Sequence, residues 1–175
     1  MRFSQLRRRC QERLADVSIP DPFDVDQLAE QVAHRRGRPL SVHALPAGMP
    51  QDMPCGFWIS TLTDDLVFIE PGTTPFHREQ IIVHELAHMI CGHVGPPAAS
   101  HSYAAHALAP HVDPATVHLM LGRTSYTTDQ EQEAETVATL ILSQARRSPT
   151  APPRARADLA AAVDRAHRTF WQPAP

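Results

Sequence analysis

The stretch Ile82-Val83-His84-Glu85-Leu86-Ala87-His88-Met89-Ile90 decides how this chain folds. Its apolar residues cover most of the circumference of a helix, so the pattern predicts a helix buried in the core. A single polar notch interrupts that apolar surface, and it contains His84, Glu85 and His88. Residues four apart project from one side of a helix, so both imidazoles can reach one metal ion. A buried helix normally excludes such side chains, and a bound cation is the simplest compensation for them.

The sequence also indicates where this helix begins and ends. Thr74 supplies an N-cap hydroxyl, and Pro75 follows it at the first helical position. Gly92 stands where the helix can stop. We therefore predict a helix over residues 75–91.

The H-E-x-x-H pattern of residues 84–88 is typical of zinc peptidases, in which the glutamate takes a proton from a metal-bound water. The pattern also occurs by chance, and a satisfied pair of core histidines beside a bystander glutamate is the alternative. A catalytic zinc keeps three protein ligands and a water, whereas a structural zinc prefers four protein ligands. A third ligand must therefore come from another segment.

The acidic segment 129–135 is the best source of that ligand, and it opens a second predicted helix that runs to about residue 147. Thr128 and Glu131 fit a capping box, which gives Glu131 a structural role and leaves Glu133 as the favoured ligand. The two glutamates flank the apolar face of this helix on opposite sides, so periodicity alone leaves both open. Acidic residues in a first turn also interact favourably with the helix dipole without any metal.

Two motifs relate this chain to a known family. The motif H-E-[LI]-[GA]-H corresponds to residues 84–88, and the motif E-x-E-A-x-x-[FV]-A corresponds to residues 131–138. With these motifs, and with Gly92-His93 after the first of them, the chain resembles the ImmA/IrrE family of metallo-endopeptidases over roughly residues 20–147. The segment between the motifs is longer than is usual in that family, and Val137 replaces the usual phenylalanine.

The resemblance implies a zincin-like domain with a gluzincin-type site, in which His84, His88 and Glu133 bind Zn²⁺ and Glu85 is the general base. Relatives of this kind cleave a transcriptional repressor, often a helix-turn-helix protein, in stress or mobile-element regulation. The alternatives are a zinc-containing regulatory module, with a structural or degenerate zinc site, that binds a transcription factor without cleaving it, and a toxin–antitoxin component. The intact Glu85 argues against a purely structural zinc site, which needs no base.

The composition limits the partners and the compartment. With 175 residues, the chain has the length of one domain with a real core. Its net charge is −3 and its pI is about 6.4, so no basic field favours direct contact with nucleic acid. No apolar segment approaches the length that spans a membrane. The three cysteines are few and widely spaced, which favours a reducing, cytoplasmic location.

The element pattern predicts an α+β fold with N-terminal helices, a small three-stranded sheet, the H-E-x-x-H helix, the glutamate-bearing helix and a C-terminal helix. The first two helices are expected at about 3–15 and 24–37, and the strands at 40–45, 56–61 and 66–70. Strand 56–61 or strand 66–70 is expected to present an exposed edge that binds an extended substrate.

The chain divides into a metallopeptidase domain, residues 1–148, and a Pro-rich linker with an amphipathic helix, residues 149–175. An insertion at about 95–127 interrupts the domain, and a short helix is predicted within it at 114–121.

Further candidates for the chemistry lie in and near the insertion. Arg123 and Tyr126 can supply a cation and a phenol that stabilise an oxyanion. Cys91 lies on the metal side of its helix, either as a redox-sensitive thiolate or, as is commoner for free cysteine, as a small buried residue. Four histidines are possible proton donors or stray ligands, although such residues are more often exposed loop residues: His101, His106, His111 and His118.

Overall fold

The secondary structure confirms the predicted α+β class. The computed structural model describes residues 3–46, 55–93, 117–121 and 126–147. Within these ranges the elements, in chain order, are α1 (Phe3–Leu14), α2 (Val25–Arg36), β1 (Leu40–Ala44), β2 (Gly56–Thr61), β3 (Asp65–Ile69), α3 (Pro75–Cys91), β4 (Val117–Leu121) and α4 (Thr128–Arg147). The predicted linker and helix at 149–175, and most of the insertion, lie outside the described residues.

The strands form one mixed sheet in the order β1-β3-β2-β4. β1 runs parallel to β3, whereas β2 pairs antiparallel with both β3 and β4. In this register Trp58 of β2 lies opposite Val67 of β3 and Leu121 of β4. All six residues of β2 are buried, because the strand is paired on both sides and covered by the helices.

The fourth strand corrects two predictions. The helix predicted at 114–121 is wrong for Val117–Leu121, which forms β4. A short apolar run does not distinguish a helix from a strand, and the edge of β2 supplies backbone hydrogen bonds to a strand. The prediction that β2 or β3 offers an exposed edge is also wrong, because each has a strand on both sides. Within the described ranges the outer strands of the sheet are β1 and β4.

α3 begins and ends where the sequence predicts. Thr74 Oγ1 accepts a hydrogen bond from the amide of His77 at 3.2 Å, and Pro75 occupies the first turn. Gly92 ends the helix with a φ of 68°, a left-handed conformation that glycine adopts without strain.

α4 begins with a capping box that is shifted by one residue from the predicted one. Thr127 Oγ1 accepts a hydrogen bond from the Gln130 amide at 3.3 Å, and Gln130 Oε1 accepts one from the Thr127 amide at 2.9 Å. The predicted box of Thr128 and Glu131 is therefore wrong. Both pairs have the required spacing, and the box that forms leaves Glu131 without a capping role.

α3 lies at the centre of the described fold. It packs against α1, α2 and α4 and against strands β2 and β3. Every residue from Ile81 to Cys91 is buried, as the sequence predicts. None of the helices in the described ranges combines the length and the apolar character needed to cross a membrane. The core around α3 contains large, fully buried side chains from the sheet and the helices: Leu28, Trp58, Ile82, Leu86 and Ile141.

Gly56 allows β2 to approach α3 closely. A Cβ atom at this position would overlap Ile81 Cγ2 and would lie 3.4 Å from the carbonyl oxygen of Phe68. Because Ile81 is β-branched and helical, its Cγ2 cannot turn away without cost. The close approach of strand and helix therefore depends on glycine at this position.

We expect Gly56→Ala to lower the free energy of unfolding by about 1–3 kcal/mol, because the added methyl group overpacks the contact with Ile81. Urea denaturation followed by circular dichroism measures this change. In a double-mutant cycle, Ile81→Ala removes the overlapping methyl group, so Gly56→Ala should cost less in that background. An equal cost in both backgrounds would show that the contact with Ile81 is not the cause.

Candidate metal centre

α3 places the imidazoles of His84 and His88 side by side. Their Nε2 atoms are 3.1 Å apart, and the ring centroids are 4.8 Å apart. His84 is 7% exposed and His88 is fully buried. The two Nε2 atoms thus converge on one point, as imidazoles do when they share a metal ion.

Glu131 completes a group of three candidate ligands. Its Oε2 lies 3.5 Å from His84 Nε2, and its Oε1 lies 3.7 Å from His88 Nε2. One ligand atom from each of the three residues lies within 4.8 Å of the other two. The Glu131 side chain reaches the histidines because α4 packs against α3. It is available for this contact because the capping box is formed by Thr127 and Gln130 instead. The structure therefore contains a His/Glu group that could hold a metal ion.

Glu133, the ligand favoured by the sequence, lies in a different environment. Both of its carboxylate oxygens accept hydrogen bonds from the guanidinium of Arg9, and Arg13 Nε lies 3.7 Å from Oε1. Its Oε2 is 3.3 Å from His93 Nε2. Two positions along a helix correspond to a rotation of about 200°, so Glu131 and Glu133 cannot both face the same point. The structure brings Glu131, the alternative ligand, to His84 and His88, and it does not bring Glu133 there.

The charges around His84 favour a cation. Burial lowers the pKa of His84, but the carboxylates of Glu131, Glu135 and Glu85 outweigh burial and raise that pKa to about 9. Glu135 Oε2 lies 3.4 Å from His84 Nδ1, on the side of the ring away from His88 Nε2. Glu131 Oε1 is buried and has no hydrogen-bond partner among the described residues. A bound cation would compensate the carboxylates and give this oxygen a partner, so the residues fit a metal ion.

Glu85, the candidate base, follows His84 on α3 and is 3% exposed. Consecutive helical positions are about 100° apart, so its carboxylate leaves the helix beside the two imidazoles. A carboxylate in that position can hold a water molecule next to an ion bound by His84 and His88. The structure therefore places Glu85 beside the candidate metal ligands.

Tyr126 also belongs to this centre. Its ring stacks on the ring of His88, with centroids 3.6 Å apart and an angle of 16° between the planes. Burial raises the pKa of Tyr126, and the charges of Glu85 and Glu131 raise it further, so the hydroxyl stays protonated. This hydroxyl is buried and, within the described part of the chain, has no hydrogen-bond partner. Arg123, the other candidate for oxyanion stabilisation, lies outside the described residues.

A second group of potential ligands consists of Cys91, His93 and Glu133, all buried and with one ligand atom each within 4.8 Å of the others. Here the carboxylate is already compensated, because both Arg9 and Arg13 form ion pairs with Glu133. Burial and the charge of Glu133 raise the pKa of the Cys91 thiol to about 12, which keeps it protonated near neutral pH. Cys91 thus matches the simpler of its two interpretations, a small buried residue beneath the site.

Three residues at the centre escaped the sequence analysis as site residues: Arg9, His93 and Glu135. His93 Nδ1 lies 2.9 Å from His88 Nδ1, and its place directly after Gly92 is a signal that local sequence contains. Glu135 stands one helical turn after Glu131, so a ligand role for Glu131 places Glu135 on the same side of α4. Arg9 gave no local signal, because its partner Glu133 is 124 residues away in the chain. Of the four insertion histidines, His101, His106 and His111 lie outside the described residues, and only the backbone of His118 is described, in β4.

We expect Glu131→Gln to weaken the binding of Zn²⁺ by about 100-fold or more, because removing a direct ligand costs more than the 10–100-fold loss typical of an outer partner. Competition with a chromophoric chelator measures the affinity. Asp129→Asn is the matched control, because Asp129 is an exposed acid in the same helical turn, and it should leave the affinity within about twofold. Full Zn²⁺ binding by Glu131→Gln, together with its loss in Glu133→Gln, would make Glu133 the ligand.

Comparison of the chain with protein-family models, with curated proteins and with solved structures gives no match. The resemblance to the ImmA/IrrE family therefore stays a prediction that rests on the motifs at 84–88 and 131–138.

Proposed function

We propose that this chain is a zinc-dependent endopeptidase in which His84, His88 and Glu131 bind the metal and Glu85 is the general base. The observation that carries the proposal is the group formed by buried His84 and His88 with half-buried Glu131, beside Glu85 on α3. Two imidazoles and one carboxylate are a donor set that Zn²⁺ accepts, and three protein ligands leave a fourth position for water or substrate. A structural zinc site would use four protein ligands and would have no need of Glu85.

When bound, zinc supplies Lewis acidity that polarises the scissile carbonyl and lowers the pKa of a water molecule to near neutrality. Glu85 accepts the proton of the attacking water and returns it to the nitrogen of the departing amine. Burial of Glu85 and of both histidines excludes bulk water, which strengthens the electrostatic interactions at the site.

Tyr126 is proposed to donate a hydrogen bond to the oxyanion that develops on the substrate carbonyl. The stacking on His88 fixes its ring, and its raised pKa keeps the donor proton in place. A buried hydroxyl that lacks a partner among the described residues has an unused donor for this purpose.

The proposed substrate is a protein segment in extended conformation, and the family resemblance points to a helix-turn-helix transcriptional repressor in the cytoplasm. β4 is an outer strand of the described sheet, and it ends five residues before Tyr126. The end of β4 therefore lies within roughly 18 Å of Tyr126, because five extended residues span no more than that distance. An extended segment paired with β4 would run close to the metal centre.

We expect Glu85→Gln to abolish peptide hydrolysis, with a rate at least about 100-fold below that of the wild type, because the amide cannot accept the proton. The assay incubates Zn²⁺-loaded protein with a proteome-derived peptide library and identifies new N-termini by mass spectrometry. Metal content serves as the internal control, since Glu85→Gln should still bind about one Zn²⁺ per chain. Cleavage by Glu85→Gln at the wild-type rate would end the mechanism.

If the metal-loaded wild type cleaves nothing but binds a repressor that stays intact, the non-cleaving regulatory module becomes the better account. Wild-type protein that takes up no Zn²⁺ would remove the peptidase and likewise leave the non-cleaving module as the better account. A toxin–antitoxin setting concerns the biological context and would leave the chemistry of the assay unchanged.

We expect Tyr126→Phe to lower kcat by about 10- to 1000-fold with little change in KM, because the hydrogen bond to the oxyanion forms in the transition state. Single-peptide kinetics with a substrate found in the library separate the two constants. Zn²⁺ affinity should stay within a few fold, because the ring that stacks on His88 is retained. A kcat within about threefold of the wild type would exclude Tyr126 from the reaction.

A further inference from the structure

We propose that His93, with Glu133 and Arg9 behind it, is a positioning residue that fixes the tautomer and ring orientation of His88. The inference rests on the proposed metal site and adds a cause for its geometry. It also makes α1, which contributes no candidate ligand, a part of the metal centre.

An unbroken chain of contacts joins α1 to His88. Arg9 of α1 donates to Glu133, with Nε 2.9 Å from Oε1 and a second guanidinium nitrogen bonded to Oε2. Glu133 Oε2 lies 3.3 Å from His93 Nε2, and His93 Nδ1 lies 2.9 Å from His88 Nδ1. The other nitrogen of His88, Nε2, faces His84 and Glu131.

With Glu133 ionised and His93 neutral, the hydrogen atoms along this series of contacts all point in one direction. An ionised carboxylate accepts hydrogen bonds and donates none, so Glu133 requires a proton on His93 Nε2. Arg9 alone balances the charge of Glu133 and Arg13 adds a second cation, so a neutral His93 suffices, and its Nδ1 is then an acceptor. His88 must therefore donate through Nδ1, which leaves a lone pair on Nε2 directed at His84 and Glu131. That is the tautomer that a metal ion needs.

Packing contacts hold α1 in the position from which Arg9 reaches Glu133. Cys10 is fully buried, and its Sγ lies 3.8 Å from the backbone oxygen of Glu133. Leu6 is 3% exposed and belongs to the hydrophobic core. The position of Arg9 thus follows from the packing of α1 on α4 and α3. Without that arginine, Glu133 would be a buried carboxylate whose strongest compensation is missing.

The first test is made on the metal-free protein, so that a metal ion cannot impose the tautomer. In ¹⁵N-labelled wild type, we expect a scalar coupling between His88 Nδ1 and His93 Nδ1 across the hydrogen bond, with the proton on His88. His93→Leu removes the acceptor, so the fraction of His88 protonated on Nδ1 should fall. A proton on His93 Nδ1 pointing at His88, or no coupling between the two nitrogens, would overturn the proposal.

The second test compares Zn²⁺ affinities by chelator competition in variants that fold, as judged by circular dichroism. We expect a loss of about 10- to 100-fold for His93→Leu, because outer partners of a ligand histidine contribute on that scale. In His93→Gln, the amide oxygen can accept from His88 and the amide nitrogen can donate to Glu133, so most of the affinity should return. Similar losses in His93→Leu and His93→Gln would indicate a purely packing role and overturn the proposal.

A third variant tests the contribution of α1. Arg9→Met should weaken Zn²⁺ binding by about threefold or more and lower the fraction of His88 protonated on Nδ1. Arg8→Met is the matched control, because Arg8 is the neighbouring residue and its only described ion pair is an exposed one with Glu12. Equal effects of Arg9→Met and Arg8→Met would show that the contacts from Arg9 through Glu133 and His93 do not influence His88.

Failure of this inference can be told apart from failure of the proposed function. The coupling between His88 and His93 is measured without metal or substrate, so it can be present in a protein that hydrolyses no peptide. Conversely, hydrolysis that depends on Glu85 with His88 protonated on Nε2 in the metal-free chain would support the peptidase and refute the positioning role.

Discussion

The enclosure of α3 is the constraint on which the rest of this structure depends. A helix that is buried from Ile81 to Cys91 has no solvent-facing side on which to place its polar residues. His84, Glu85 and His88 are therefore held in the core, where charge is costly unless it is compensated. The compensation comes from neighbouring elements: α4 brings Glu131 and Glu135 to the histidines, and α1 brings two arginines to Glu133. The burial of α3 thus underlies both the packing of α1 and α4 against it and the polarity of the centre.

Much of this arrangement could be predicted from local sequence, because the signals lie close to the residues they control. The bounds of α3 followed from Thr74, Pro75 and Gly92, and its burial followed from its apolar circumference. The strand β4 could not be predicted in the same way, since this short segment, apolar in four of its five residues, becomes a strand only through pairing with β2. The histidine pair and Glu85, the proposed base, could be identified from the sequence because a motif of five residues contains all three.

The third ligand shows how a small local ambiguity changes a functional prediction. Thr127 and Thr128 each stand three residues before a possible partner, Gln130 and Glu131, so the sequence allows two capping boxes. Because Thr127 and Gln130 form the box, Glu131 has no capping role and its carboxylate can face the histidines. The helical rotation of about 200° then turns Glu133 toward α1. Neither the choice nor its consequence can be read without the tertiary packing of α4. The same holds for Arg9 and Glu133, which meet across almost the whole described chain.

If His93 positions His88 as proposed, the hydrogen bonds between Arg9 and Glu133 link the packing of α1 thermodynamically to the binding of a metal ion. If the packed position of α1 raises metal affinity through His93 and His88, then a bound metal must stabilise that position by the same free energy. A protein or tag that draws α1 away from α4 would lower metal occupancy without touching a ligand. Gain of metal would, in turn, protect the first helix from such removal. The N-terminal helix and the metal centre are in this sense two sites of one equilibrium.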